Sequence, residues 1–474
     1  MVDDLFIGGD WVAAHGPGRL PVLDPFTEQT WTAVPDADAQ DVDRAVRAAR
    51  AALPGWARLT PSERAGYLVR IADEVDKRAD EMTRTITREN GTPVAESSHA
   101  AGFASAFFKL TAALAADLER PDVRPNPFSP GRSVVQRRPV GVAGLITPWN
   151  YPTSLIVIKL APALLAGSTV VLKPAPETPI AARQLVEAVA AAGVPDGVVN
   201  LVTGGVATGE ALLAHPGVDK ISFTGSTAVG RHVGEVCGRM LRPVTLELGG
   251  KSPAVVLDDA DLDVVAAHIL KVAMRNTGQT CKACTRLLVP ASRQHQVVER
   301  VAAVVASAPM GDPSDPKTFF GPLVSDRQRA RVNGYLDDGL AAGARAVVGG
   351  GRPATEHGFF VEPTVFTDVT PDMRIVREEI FGPVLVVQTY TDVDDAVRLA
   401  NDSDYGLAAA VFGVDEDRAA AVADRLETGN VGINHYGSNA AAPFGGHKNS
   451  GLGTEFAVEG VAQYQLLTSI HYPS

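Results

Sequence analysis

Between Asp41 and Glu96 apolar residues recur every three or four positions. Val42, Ala45, Val46, Ala49 and Leu53 share one face, Pro54-Gly55 ends that run, and Pro61-Ser62-Glu63 opens a second helix toward Ile71 and Val75. The spacing predicts a helical N-terminal layer. From Arg120 to Arg138 the period fails, and prolines at 121, 125, 127 and 130 exclude a continuous helix or central strand, so this stretch reads as a linker or excursion. Beyond it, β-rich runs (Val140–Ile146, Thr169–Lys173, Val198–Val202, Lys220–Phe223, Val244–Leu248) alternate with helical segments (Thr153–Leu165, Thr178–Ala192, Val206–Ala214, Thr227–Met240). That alternation predicts βαβ units and a parallel sheet covered on both faces. A second alternating block starts at Pro253-Ala254-Val255-Val256-Leu257 and runs to Val431-Gly432-Ile433, broken by the turn-rich stretch from Gly311 to Pro316. The expected class is α/β with two α/β domains. Ala462 to Tyr472 alternates once more, a lone terminal strand that needs a partner sheet, with another subunit as one source.

The length of 474 residues, with 45% apolar and 21% charged content, suits a folded protein too long for one core. Its 43 Lys and Arg against 55 Asp and Glu give a net charge of −12, and no cluster of five basic residues occurs. Nucleic acid and anionic membrane surfaces are therefore not expected partners. The longest apolar stretch, Leu155 to Gly167, is interrupted by Lys159 and Pro162 and falls short of the roughly 20 residues of a membrane span. Met1 to Asp10 carries no basic or apolar leader, and three cysteines cannot build a disulfide framework, so the reducing cytoplasm is the expected location. Asn90-Gly91-Thr92 and Asn401-Asp402-Ser403 match the glycan acceptor pattern but without export read as turn and cap residues.

Four segments carry candidate chemistry. From Ile221 to Gly230 a strand passes through Gly225 into a helix opened by Ser226-Thr227, whose free N–H groups can hold an anion, although the same residues serve an ordinary cap. No G-x-G-x-x-G stands at a strand end, and Gly249-Gly250-Lys251-Ser252 is no P-loop, because Thr245 takes the place of its first glycine and Pro253 blocks the following helix. Cys281 lies on a loop between the helix Asp261–Met274 and the strand Arg286–Val289, where reactive groups are commonly presented. Its spacing to Cys284 fits redox chemistry or half a zinc site, but His268 and His295 supply no ligand pair, and no metal is expected. Either thiol alone also reads as packing. Glu247 sits in an apolar strand end, where desolvation raises a carboxyl toward a usable general base. Asn150, beyond a βαβ strand, can donate to a developing oxyanion or form an Asx turn.

In chain order, Pro148-Trp149-Asn150, Lys173-Pro174, Phe223-Thr224-Gly225-Ser226-Thr227, Glu247-Leu248-Gly249-Gly250, Gly278-Gln279-Thr280-Cys281, Glu378-Glu379-Ile380-Phe381 and Pro443-Phe444-Gly445-Gly446 form a set that resembles the aldehyde dehydrogenase superfamily along the whole chain. The resemblance implies a Rossmann-like doubly wound NAD(P)-binding domain (1–120 and 140–249), a second α/β catalytic domain (250–445) and a small β oligomerisation arm (121–139 and 460–474) in a homodimer or homotetramer. It also implies oxidation of an aldehyde to a carboxylic acid with NAD or NADP. Cys281 would attack as thiolate, Asn150 and the Cys281 backbone N–H would hold the oxyanion, and Glu247 would activate the water that hydrolyses the thioester. Implied cofactor residues are Ile146, Thr147, Pro148 and Trp149, Lys173 at the adenine ribose, Gly205, Phe223, Gly225 and Ser226 at the pyrophosphate, Leu248 and Gly249, and Glu379 with Phe381 at the nicotinamide riboside.

Departures from the family pattern matter too. Pro176 stands where many NAD-preferring members have Glu, with Glu177 one later, which leaves NAD against NADP open, and Thr454 replaces a frequent Arg. The alternatives are a coenzyme-A-acylating relative, which typically lacks a Glu at position 247, and a catalytically silent binding protein on the same fold. Lys282 is expected to face solvent, the alternative being an inward ammonium that lowers the pKa of the nucleophile beside it; Lys251 is expected to be structural, Cys237 to pack a helix and Cys284 to be a neighbour able to oxidise with Cys281. By the same resemblance Tyr151, Ser154, Ile158, Thr280, Lys282 and the stretch His435–Ala442 form a mixed, small substrate mouth suited to aliphatic or modest aromatic aldehydes. All four tryptophans precede Asn150, which disfavours a cage for quaternary ammonium groups.

Overall fold

Helix Ala39–Arg58 shows how the N-terminal layer is set. The Asp38 carboxylate accepts from the Gln40 and Asp41 N–H groups while the Asp41 carboxylate accepts from the Asp38 N–H, a reciprocal cap. Val42, Ala45, Val46 and Ala49 are buried as their spacing predicts. Pro54-Gly55 does not end the helix, contrary to the sequence reading. Trp56 anchors the last turn, buried with its indole N–H donating to the Leu164 carbonyl at 3.2 Å, while Pro54 faces solvent, where water can serve the carbonyl it leaves unpaired. The computed structural model describes residues 4–355 and 357–473. Its helical run Val94–Glu119 is long and apolar enough to cross a membrane, yet Ala101, Ala104, Phe107 and Phe108 on it are buried against the helices Pro61–Asp76 and Pro152–Ala166.

Five parallel strands lie side by side in the order Val199–Leu201, Thr169–Lys173, Val142–Ile146, Lys220–Thr224, Val244–Glu247. The chain winds one way from Val142–Ile146 and then the other, the doubly wound arrangement. Helices Pro152–Ala166 and Pro179–Ala191 bury one face, and Ala39–Arg58, Val206–Ala214 and Thr227–Arg239 bury the other. Antiparallel strands extend both edges, Asp4–Ile7 with Asp10–Ala13 on one side and Gly451–Leu452 on the other. Strands of two to four residues are too short to show a period, and the sequence reading did not anticipate them.

A second sheet has the order Arg345–Val348, Thr364–Thr367, Val384–Tyr390, Arg286–Pro290, Pro253–Val256, Ala409–Phe412, Val431–Ile433 and is parallel except at its first strand. The third is small: Gln465–Tyr472 pairs antiparallel with Arg132–Pro139, which pairs with Asp122–Pro125. The terminal strand thus has its partner within this chain, and its outer edge carries the exposed Leu466 and Leu467.

Candidate active site

The loop that carries Cys281 is wound against its natural hand. After helix Leu262–Ala273, Asn276, Thr277 and Gly278 adopt φ of 52°, 54° and 75°. Gly278 has no substitute, since a Cβ there would lie 2.0 Å from the Gly382 carbonyl oxygen. Side-chain amides hold the turn. Asn276 donates to the Asn150 carbonyl at 2.9 Å, Asn150 Nδ2 donates to the Gln279 carbonyl at 3.0 Å, and Gln279 Oε1 accepts from the Val324 N–H at 3.0 Å. From the helical layer the Thr92 hydroxyl donates to Asn276 Oδ1 at 3.0 Å and Asn90 donates to the Trp149 carbonyl at 2.7 Å. Asn90 and Thr92, read from sequence as turn residues, thus clamp the two loops that meet at the seam between the sheets.

Cys281, Asn150 and Glu247 line one cavity of about 400 Å³, so three of the sequence-chosen residues come together. Phe103, Leu155, Ile158, Phe444 and Phe456 make an apolar wall. Facing residues are polar, among them Tyr151, whose hydroxyl shares a 2.8 Å hydrogen bond with Thr280, and Arg275, paired with Glu96 at 2.6 Å. Tyr151, Ser154, Ile158, Thr280 and Lys282 line the cavity as expected, and His435–Ala442 contributes Gly437 and Ser438. Phe103 and Phe456 were missed because nothing local in the sequence links them to the motifs, and they make the cavity more aromatic than the expected mixed, small mouth. The Lys282 ammonium makes an exposed hydrogen bond at the cavity rim, 2.7 Å from Ser438 Oγ and 4.8 Å from the Tyr436 ring centre, so it keeps the expected access to solvent while its side chain lines the wall.

Glu247 is buried with neither carboxylate oxygen hydrogen-bonded. Burial, and then the nearby Glu455, push its pKa well above the usual carboxylate range, while Lys159 opposes. Lys159 and Glu455 form a buried ion pair beside it, and neither was picked out from sequence as functional. The Cys281 thiol is pushed up to about 12, first by burial and then by Glu379 and Glu247, with the Lys282 ammonium and backbone N–H opposing. Cys284 is buried in the core of the second sheet, whereas Cys281 packs against that of the first, so the two thiols serve different cores. Cys237 is buried among the helices behind the first sheet.

The C-terminal ends of four neighbouring strands bring Ile146, Lys173, Phe223 and Glu247 to one edge of the first sheet. There the Lys173 ammonium is buried with one carbonyl partner, Pro174 at 3.1 Å, and desolvation pulls it down to about 8. The Thr147 and Thr224 hydroxyls are buried with no partner. Ser226 caps helix Thr227–Arg239, accepting from the Val229 N–H at 3.4 Å, directly after Gly225. The Gly205 N–H donates to Asp36 at 2.9 Å, and the Leu248 N–H to the Ser450 carbonyl at 2.9 Å. Glu379 reaches over from the second sheet's side, and its carboxylate, raised to about 7 by burial, accepts from the Gly250 N–H at 3.1 Å. A Cβ on Gly249 would lie 2.3 Å from that carboxylate. Phe381, at φ 66°, meets Trp149 edge-on with ring centres 5.3 Å apart. Orphaned hydroxyls, a buried ammonium, a helix N-terminus and glycines that must stay bare suit a phosphate- and ribose-bearing cofactor.

Comparisons with known proteins agree with this geometry. The profile described as the aldehyde dehydrogenase family matches residues 11–470. The geranial dehydrogenase of Castellaniella defragrans is 45% identical over 471 residues, covering 98% of each chain. A Mycobacterium tuberculosis aldehyde dehydrogenase complexed with NAD+ is similar in structure at a TM-score of 0.97 and 43% identity, covering 100% of this chain and 98% of that one. A mutant aldehyde dehydrogenase of Pseudomonas syringae, complexed with NAD+ and octanal, matches at a TM-score of 0.96 and 39% identity, covering 99% and 96%.

Proposed function

The chain belongs to the aldehyde dehydrogenase family and oxidises aldehydes with NAD+, and from that premise we propose that Cys281 is the nucleophile, Asn150 an oxyanion donor and Glu247 the general base. The carrying observation is that Glu247 keeps both oxygens unpaired on the cavity that Cys281 and Asn150 line. The Cys281 sulfur adds to the carbonyl carbon, and the carbonyl electron pair moves onto oxygen. One Asn150 Nδ2 hydrogen already positions the loop through Gln279, and the other, with the Cys281 backbone N–H, receives that oxyanion. As the oxyanion's electron pair re-forms the carbonyl, the hydride on that carbon would leave to a bound nicotinamide, and the thioester of Cys281 would remain. Glu247 then takes a proton from the water that cleaves the thioester, and the carboxylic acid leaves.

We assign residues 1–120 and 140–249 to the cofactor domain, 250–445 to the catalytic domain, and 121–139 with 460–474 to an oligomerisation arm, a division the three largest sheets support. Ile146, Thr147, Pro148, Trp149, Lys173, Gly205, Phe223, Gly225, Ser226, Leu248 and Gly249 hold the cofactor from one side, and Glu379 with Phe381 from the other. With Pro176 in place of a carboxylate, nothing at that position repels a 2′-phosphate, and NADP+ belongs in the same assay. The aromatic wall favours aliphatic and modest aromatic aldehydes, in keeping with the geranial and octanal of the relatives' names. The exposed edge of Gln465–Tyr472 supports a homodimer or homotetramer, and three free thiols fit the cytoplasm.

The test is a pair of variants. Cys281→Ala abolishes aldehyde-dependent NADH formation, whereas Glu247→Gln gives a first burst of NADH and a steady rate lower by about 10²–10⁴-fold. Undiminished turnover in the first, or an unchanged steady rate in the second, removes the corresponding role.

A further inference from the structure

We propose that the Phe456 ring is the stop that limits how long an aliphatic aldehyde this enzyme accepts. It divides the catalytic cavity from a second, apolar pocket of about 60 Å³ built by Phe107, Leu110, Leu114, Pro162 and Ala440. This rests on the cavity lined by Cys281, Asn150 and Glu247 being the aldehyde site.

Both spaces lie along one seam between two helices. Helix His99–Ala113 turns His99 and Phe103 to the catalytic cavity, then Phe107, Leu110 and, at its C-terminal cap, Leu114 to the pocket. Helix Pro152–Ala166 runs the same way, with Leu155 and Ile158 on the cavity and Pro162 on the pocket. At a rise of about 1.5 Å per residue, Phe107 and Pro162 stand ~6 Å beyond Phe103 and Ile158, and Leu110 ~10 Å beyond Phe103. Among the described residues Phe456 alone lines both spaces. Its ring is held between Phe444 on the cavity side, centres 5.4 Å apart, and Phe107 on the pocket side, 5.5 Å apart.

The backbone aims this ring at a cost. Phe456 has φ 65° and ψ 167°, a region that glycine adopts readily and a bulky residue does not. The chain is pinned there by the Glu455 N–H donating to the Phe444 carbonyl at 2.7 Å and the Gly460 N–H donating to the Phe456 carbonyl at 2.7 Å. Glycine would suit that backbone better but would leave the seam open, so the side chain is what the strained conformation serves. Every side chain around the pocket except Thr111 is apolar. The group it suits is therefore the hydrocarbon end of a long unbranched aldehyde whose carbonyl stays at Cys281.

The test compares kcat/KM for octanal and dodecanal in the wild type, Phe456→Gly, Leu110→Trp and the double variant. The ratio of the two aldehydes is the readout, because Phe456 adjoins Glu455 and a disturbance of the chemistry cancels between them. Phe456→Gly should raise the dodecanal to octanal ratio by about tenfold or more, the worth of two newly buried methylenes. Leu110→Trp alone should leave the ratio where it is, and in the double variant, with the pocket refilled, the ratio should fall back toward wild type. Equal ratios in wild type and Phe456→Gly overturn the proposal, as does a raised ratio that Leu110→Trp does not lower, since the tail then lies elsewhere. A changed sedimentation mass in Leu110→Trp marks the pocket as a contact with a second copy of the chain and overturns it too. Aldehyde turnover that survives in Cys281→Ala overturns the reading of the cavity instead. If Phe456→Gly does not fold, Phe456→Ala takes its place under the same criteria.

Discussion

A carboxylate with both oxygens unpaired inside a protein holds its proton tightly, and in Glu247 the neighbours decide how tightly. Glu455 raises its pKa and Lys159 lowers it. A general base works only when deprotonated, so a raised pKa carries the acid limb of turnover upward in pH. Glu455→Gln removes the like charge and frees Lys159 to act on Glu247, two effects of the same sign. The acid limb of kcat should therefore move to lower pH, and a steady-state pH profile that stays in place or moves upward refutes the coupling. The buried Lys159 left unpaired costs about 3–5 kcal/mol of stability, so the profile is taken well below the melting temperature. Cys281, Glu247 and Asn150 were legible in sequence because each is chemically odd for its surroundings: a thiol between ordered elements, a carboxyl in an apolar strand end, an amide just past a strand. Lys159 and Glu455 are 296 positions apart, and no spacing rule joins them.

At the scale of elements, local pattern succeeded where a single period controls burial. Strand Thr169–Lys173 and helix Val206–Ala214 fall on their predicted bounds. It failed where a distant contact decides, as in the last turn of Ala39–Arg58, kept by Trp56 and Leu164. The left-handed turn before Cys281 was likewise invisible, since Asn276 tolerates that region but β-branched Thr277 avoids it, and the pair is held there by Asn150 and its partners. Gly278→Ala puts a Cβ against the Gly382 carbonyl in a conformation that already costs an L-residue about 1–2 kcal/mol. A loss of about 2 kcal/mol or more in denaturant unfolding is expected, with a fall in kcat as Cys281 shifts. Wild-type stability and turnover in this variant would show that the turn relaxes at no cost.

For the molecule as a whole, the chemistry sits on a seam. Asn150 and Glu247 come from the first sheet's loops and strand ends, Cys281 from the second sheet's side, and the Glu379–Gly250 contact joins the two at 3.1 Å. A cofactor held by both sides stabilises the folded state through linkage, by about 2.7 kcal/mol at a hundred times its dissociation constant. NAD+ titrated during thermal unfolding should raise the melting temperature, and Glu379→Ala should lose most of that rise. An equal rise in both proteins would remove Glu379 from the cofactor site. The two-sheet plan was legible from the βαβ rhythm, but the edge strand Gly451–Leu452 was not. Gly451 pairs with Glu247 itself, and the Ser450 hydroxyl donates to the Gly249 carbonyl at 2.8 Å, 201 positions away. During synthesis at about 5–20 residues per second, roughly 10–40 s pass between the emergence of these two segments. Until then the strand that ends in Glu247 lacks Gly451 at its edge and Lys159 lacks Glu455, so the surroundings that would tune the proposed base are completed only by the C-terminal segment.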